Sequence, residues 1–296
     1  MTNNVQPITV VGSANVDFTF RLDRLPKPGD TVFGSSISKT AGGKGLNQAV
    51  ACQRASGSVS FVYSTGQDNE GDFLEGLLAA DEVKARRLCA VNLLTGRAHI
   101  YVSTEGENQI VVMPGANLAE HISEVEFRPE EPGYLVLQLE IGLQSTLNLA
   151  RRARASGWKV ALTPAPVSEF NTELLAFVDV LMLNSVEAMA IAHSSSIEEA
   201  GKALAKVVPL VVVTSGSDGV DVFQDGNSFH IAASSVKAVD TTGAGDTFAG
   251  YFITALAEGK GSREAAEIAT LAAGLSVQVL GASTSIPTRD AVEALR

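Results

Sequence analysis

The chain has 296 residues, 45% of them hydrophobic, so it can bury a large core; it is long for one compact domain and short for two, which predicts one main domain with a small appendage. Its 22 basic and 33 acidic side chains give a formal charge of −11, which argues against a general nucleic-acid or anionic-membrane binder while leaving room for a locally positive pocket. Cys52 and Cys89 have neither disulfide nor zinc spacing, Met1 to Pro7 is polar, and no apolar run approaches membrane-spanning length, so a reducing, cytoplasmic home is expected.

Ile8 to Val11, stopped by Gly12, reads as a short buried strand. Phe18 to Lys39 has alternating stretches around Pro26-Lys27-Pro28-Gly29 and no helical period. Gly43 to Arg54 reads as a helix, Val59 to Tyr63 as a strand and Glu70 to Ala80 as a helix. Arg97 to Val102 and Gln109 to Met113 flank the polar turn Glu105-Gly106-Glu107-Asn108, the pattern of a hairpin. Together with the segment from about 18 to 40, this hairpin (about 97 to 113) is expected to form a small β-sheet lid standing off the main body. Tyr134 to Leu139 is a predicted strand, Leu143 to Ala155 a helix, and Trp158 to Leu162 and Val178 to Leu183 are strands, with Glu187 opening a helix. Leu210 to Thr214 is β-branched and buried; Gly219 to Phe223 and Ser228 to Ile231 form a second hairpin about Asp225-Gly226-Asn227; Gly245 to Arg296 is alanine-rich and helical. Strands alternating with helices predict an α/β fold, a mostly parallel sheet with helices on both faces.

The segment most rich in chemical signals is Asp240 to Gly250, DTTGAGDTFAG, running into an apolar helix. Small residues ahead of a helix let backbone N–H groups converge on an anion, and the helix dipole adds to that field. Asp246 would repel a phosphate held there. It reads either as an ordinary first-turn acid or as a general base that takes the proton of an alcohol attacking phosphorus. Gly243-Ala244-Gly245 does not complete a dinucleotide fingerprint, since Phe248 stands at its third glycine. Nor is Ala41 to Gly45 a P-loop, with Ser38 in place of its first glycine and Gly45 in place of its Ser/Thr.

Elsewhere, Asn15 and Asp17 follow the first strand and alternation places them on one face, at the carboxyl end where open α/β sheets bind ligands. Gly43, Lys44 and Asn47 lie at the mouth of the next helix, and Glu140 follows another strand end. Carboxylates that accept, an ammonium that donates and amides that do both are the mixture a polyol demands, although each residue alone reads equally as a loop cap or a solvated charge. Asn184 and Glu187 have the spacing of a capping box.

In combination these segments resemble the ribokinase (PfkB-type) family of carbohydrate kinases. Gly42 to Ala49 (GGKGLNQA) is similar to the family's first signature, Asp240 to Gly250 to its second, and the opening Gly12 to Asp17 and the ending Gly281 to Pro287 fall where the family has them, so the likeness covers nearly the whole chain. The resemblance implies a ribokinase-like doubly wound sheet and ATP-dependent transfer of phosphoryl to the primary hydroxyl of a pentose, D-ribose first. A nucleoside, pseudouridine, fructose or a keto-deoxy sugar acid remains an alternative acceptor within the family, and a non-catalytic sugar-binding regulator an alternative outside the enzymes. It implies that Asn15, Asp17, Gly43, Lys44, Asn47 and Glu140 grip the sugar, and that Gly243, Ala244, Gly245 and Asp246 form the catalytic turn. Asn184, Thr214, Gly216, Ser217, Gly219, Gly245 and Thr270 would bind ATP, and Glu187 would order Mg2+ through water. Asp240, Thr242, Ser276, Val279, Gly281 and Ser285 would surround a monovalent cation such as K+. Thr163 stands where the family usually has asparagine, and Arg97, His99 and Met113 in the lid also depart from it, so the acceptor is the least determined feature. His99 is expected to be packed or interfacial rather than catalytic, and the lid's open edge predicts a homodimer.

Overall fold

The computed structural model describes residues 5–296. In chain order its strands and helices are β1 (Ile8–Val11), β2 (Asn15–Leu22), β3 (Gly34–Gly42), α1 (Lys44–Arg54), β4 (Val59–Thr65), α2 (Asn69–Ala80), β5 (Lys84–Cys89), β6 (Gly96–Ser103), β7 (Asn108–Met113), β8 (Tyr134–Gln138) and α3 (Leu143–Ala155). There follow β9 (Lys159–Thr163), β10 (Val180–Asn184), α4 (Ser185–Ala192), α5 (Ile197–Leu204), β11 (Leu210–Thr214), β12 (Val220–Gln224), β13 (Asn227–Ile231), α6 (Ala244–Ala257), α7 (Ser262–Ser276) and α8 (Arg289–Glu293).

The buried runs become a nine-stranded sheet in the order β13-β12-β11-β10-β9-β8-β1-β4-β5. Its pairs are parallel from β5 across to β11, and only the β11-β12-β13 end is antiparallel. Parallel strands bury both faces, hence runs such as Val211-Val212-Val213 without alternation. Successive residues point into different cores: Val212 joins α1, α2, α6 and α7 on one face, Val211 and Val213 join α3, α4 and α5 on the other. The β12–β13 hairpin turns through Asp225 and Gly226, both at positive φ (52° and 74°), as a tight two-residue hairpin requires.

The expected small sheet is present, four-stranded, in the order β3-β2-β6-β7. Its central pair, β2 and β6, is parallel, with an antiparallel partner on each side. Phe18 and Phe20 on β2 pack against His99 on β6, ring centroids 5.6 and 5.7 Å apart, so His99 is packed as expected. The outer strand β7 is exposed along its whole length.

The structure departs from the sequence reading in three places. Asn15 and Asp17, read only as following the first strand, begin a strand of their own, β2, so the small sheet itself carries them over the site. The C-terminal segment is not helical throughout: α7 ends at Ser276 and a turn-rich stretch runs to Thr288 before α8. Short strand β5 and helix α5, absent from the sequence reading, complete one sheet edge and one face.

Candidate active site

Helices α1 and α6 touch because Gly250 has no side chain; a Cβ there would lie 2.3 Å from Cβ of Ala51. One helical turn away the same faces meet again, where Asn47 and Gln48 of α1 reach Asp246 of α6. Asn47 Nδ2 donates to Asp246 Oδ2 (3.0 Å) and Gln48 Nε2 to Oδ1 (2.9 Å). Both helices begin with a glycine at positive φ, Gly43 at 92° and Gly243 at 77°, and neither has a side-chain cap. The Ala244 amide turns back to the Thr241 carbonyl (3.2 Å), whereas the amides of Gly243, Gly245 and Asp246 make no hydrogen bond among the described residues. Free amides at a helix start form an anion-binding cradle.

Burial pushes the Asp246 carboxyl up; the Lys44 ammonium and the two amide donors oppose that, and the Glu140 carboxylate adds to it. Lys44 in turn is held protonated by Asp246 first, against its own burial, and then by Glu140 and Glu187. The lysine thus lies among carboxylates from α6, the turn after β8, and α4.

Glu140 substitutes for the missing cap of α1. Its Oε2 accepts the Lys44 amide (3.0 Å) and the Ser13 hydroxyl, while Ser13 Oγ accepts the Gly45 amide (3.3 Å). Asn15 Oδ1 accepts from Asn117 Nδ2 (2.7 Å), and Asn117 Oδ1 accepts the Ala14 amide (3.0 Å), which leaves the Asn15 amide N–H groups to donate toward a ligand. Burial, together with the neighbouring Glu140, pushes Asp17 up to about 7. Gly42 leaves room for that carboxylate, since a Cβ there would lie 2.0 Å from Asp17 Oδ2. Asn47 Oδ1 is buried without a partner, an acceptor that awaits a hydroxyl donor. The sequence-based set Asn15, Asp17, Gly43, Lys44, Asn47 and Glu140 therefore comes together in one polar cluster. Ser13, Asn117, Gln48 and Gln138 support it and were missed. Gln48 lies within the first signature and could have been singled out, but Asn117 becomes a neighbour of Asn15 only through the chain's path after β7.

On the other side of the α6 N-terminus lies a cavity of about 550 Å³. Thr214, Gly216, Ser217, Gly219, Gly245 and Thr270 all line it, as does Ala244, with Ala273 and Gly274 of α7 among the other lining residues. Thr270 Oγ1 is buried there with no partner. Asn184 does not line the cavity. It caps α4, its Oδ1 accepting the Glu187 amide while Glu187 Oε2 accepts the Asn184 amide, each at 2.9 Å, so the capping box is real.

Asp240 ties two loops together. Its Oδ1 accepts from the Thr242 amide (2.9 Å) and hydroxyl (2.6 Å), and its Oδ2 accepts from the Gly281 amide (2.9 Å). Burial opposes its ionisation, but these hydrogen bonds prevail and hold it below the usual carboxylate range. Ser276 and Ser285 spend their hydroxyls on the carbonyls of Ala273 and Ala282 (2.9 Å each), and the Val279 side chain is exposed. No group of three or more His, Cys, Asp or Glu suited to a metal occurs among the described residues. In the lid, Arg97 is spent on α2, 3.1 Å from Glu70 and 3.7 Å from Asp68. Its Nη2 group is thereby paired, while its Nε is buried without a partner.

Comparison with known proteins gives the same reading from another direction. Residues 5–289 match the family described as pfkB family carbohydrate kinase. The chain is 37% identical over 294 residues to the ribokinase of Haemophilus influenzae, covering 95% of each. Its structure is similar to that of ribokinase from Thermotoga maritima (TM-score 0.89, 36% identity, 98% of each chain). It also resembles Arabidopsis thaliana ribokinase complexed with ribose and ATP (TM-score 0.87, 32% identity, 98% of each chain). With that match along nearly its whole length, the chain belongs to the pfkB family of carbohydrate kinases.

Proposed function

We propose that this chain transfers the γ-phosphoryl group of ATP to the primary hydroxyl of D-ribose, with Asp246 as general base. The observation that carries the reading is the position of one helical turn. Ala244 and Gly245 face the 550 Å³ cavity, while Asp246, the next residue, is bonded to Asn47 on the polyol side. An alcohol held by Asn15, Asp17, Asn47 and Glu140 would present its hydroxyl to the carboxylate, and the free amides of Gly243, Gly245 and Asp246 would receive charge from the phosphoryl group. Lys44, the cation acting on Asp246, would offset the repulsion between that carboxylate and the incoming phosphate. ATP fits the cavity by its small lining residues and by the unpartnered Thr270 hydroxyl. Magnesium, with no protein cage, would arrive with the nucleotide and neutralise phosphate charge, Glu187 ordering its water. A monovalent cation would be held beside the loops that Asp240 ties together, by backbone carbonyls near Thr242, Ser276, Val279, Gly281 and Ser285.

The commitment of Arg97 to α2 favours a neutral acceptor over a sugar acid. An ADP-release assay over pentoses, hexoses, nucleosides and a sugar acid tests this: ribose should give the highest kcat/KM, and turnover of none would leave a sugar-binding regulator instead. We also place the protein in the cytoplasm as a homodimer joined through the lid, whose strand β7 exposes Ile110, Val111, Val112 and Met113. A monomer mass by light scattering at micromolar concentration would contradict the dimer. Among the described residues no helix is long and apolar enough to cross a membrane.

A further inference from the structure

Behind the base stand two glutamines to which the phosphoryl transfer assigns no part. Gln48 on α1 and Gln138 at the end of β8 are both wholly buried. Gln138 Nε2 donates to Gln48 Oε1 (2.6 Å), Gln48 Nε2 donates to Asp246 Oδ1 (2.9 Å), and the same Nε2 lies 3.4 Å from the Thr163 hydroxyl. A polar chain through a core carries a desolvation cost that apolar side chains of the same shape would avoid.

The anion fixes the direction of this chain. An ionised carboxylate only accepts, so Gln48 must turn its NH2 group to Asp246; its carbonyl then faces Gln138, which must answer with its own NH2. Turning either amide over sets oxygen against oxygen. The consequence appears at the far end, where Gln138 Oε1 is buried with no partner. It lies against Gly12, where an added Cβ would stand 2.1 Å from that oxygen. Asn47 meanwhile holds the other oxygen of Asp246, so two successive residues of α1 grip both ends of the carboxylate.

We propose that Gln48 and Gln138 are positioning residues for phosphoryl transfer, a buried amide relay that locks the Asp246 carboxylate with one lone pair aimed at the sugar hydroxyl. The inference rests on Asp246 being the base. The charged groups that bear on Asp246 are Lys44 from α1, which favours its ionised form, and Glu140 from the turn after β8, which disfavours it; Glu187 of α4 acts on Lys44, and Asp17 of β2 neighbours Glu140. With these in place, losing the Gln48 donor both loosens the carboxylate and makes it harder to ionise.

The test compares Gln48→Met, Gln138→Met and the double variant, Met being unbranched and close to Gln in volume. The measurements are kcat and sugar KM from mildly acid to mildly alkaline pH, with thermal melts to confirm folding. Gln48→Met should lower kcat by about 10- to 100-fold, leave sugar KM within about twofold and move the acid limb of the kcat profile to higher pH. Gln138→Met should move the same limb in the same direction by less, and the double variant should match Gln48→Met, because the relay acts only through Gln48. An unmoved acid limb with kcat within about twofold in Gln48→Met overturns the proposal, as does a further limb shift when Gln138→Met is added to Gln48→Met. Should Gln48→Met fail to fold, the limb in Gln138→Met decides alone: shifted supports the relay, unmoved sinks it. Asp246→Asn run alongside separates the two levels. If that variant is active, the base assignment itself falls; if it is inactive while Gln48→Met behaves as the parent, the relay alone falls.

Discussion

On the proposed sugar side of α6, several polar side chains are already wired to another: Asn15 to Asn117, Glu140 to Ser13 and the start of α1, Asn47 and Gln48 to Asp246. Across the same helix, the 550 Å³ cavity is walled by Gly216, Gly219, Ala273, Gly274, Val236 and Val277, with the hydroxyls of Thr214, Ser217, Ser234, Ser235, Thr241 and Thr270 but no charged or amide side chain. The first pocket is a preset hydrogen-bond pattern, the second a shape with amides at one end. A preset pattern leaves buried groups unpaired when a wrong hydroxyl arrangement enters, so it discriminates strongly; a smooth cavity discriminates mainly by size. Substitutions on the two sides should therefore fail in different ways.

The largest effect belongs at the boundary. Asp246→Asn keeps the size and removes the base, so kcat should fall by about 10²- to 10⁴-fold with ATP and sugar KM nearly intact, read by ADP release. On the sugar side, Asp17→Ala should raise sugar KM by about 10- to 100-fold, as loss of two hydrogen bonds to a buried carboxyl group implies, with ATP KM unchanged. An unchanged sugar KM removes Asp17 from the pocket. On the nucleotide side, Gly274→Leu adds bulk where a Cβ would meet nothing closer than 4.0 Å, at Ser234. ATP KM should rise by about tenfold, within the range that overpacking a pocket costs, while sugar KM stays put. If sugar KM rose equally, the two pockets would not be separate sites.

The last effect is on stability rather than turnover. With its carboxyl raised to about 7, Asp17 favours the folded state when protonated. That contribution is whole below the ordinary carboxylate pKa and is lost as pH rises through the folded value, so the ligand-free protein should lose stability between about pH 4 and 7. Asp17→Asn should flatten that decline in Tm; an equally steep fall in the variant would show that Asp17 does not cause it.

Much of this division was legible in the sequence. The β-branched run at Leu210–Thr214, the two glycine-led helix starts and the Asn184/Glu187 capping box follow local rules, and the structure has them. Of the six residues expected to grip the sugar, Gly43, Lys44 and Asn47 lie in the first family signature and Asn15 and Asp17 in the opening segment Gly12 to Asp17, while Glu140 stood out only as a strand end. Long-range pairing was not legible. Asn117 meets Asn15 across 102 residues and Gln138 meets Gln48 across 90, contacts made by topology alone. Strand β5 was hidden by its charged edge, Lys84-Ala85-Arg86-Arg87, which obeys no alternation. Helix α5 did carry a readable signal, Ser196 capping the Glu199 amide, that was passed over. Alternation put Asn15 and Asp17 on one face, but that they open a strand of their own shows only through its partners β3 and β6.

The most direct test is a crystal structure with ribose and a non-hydrolysable ATP analogue bound together. The account predicts the sugar's primary hydroxyl within about 2.6 to 3.2 Å of an Asp246 carboxylate oxygen and the terminal phosphate over the amides of Gly245 and Asp246. A terminal phosphate lying away from that turn, with another carboxylate beside the hydroxyl, would contradict it.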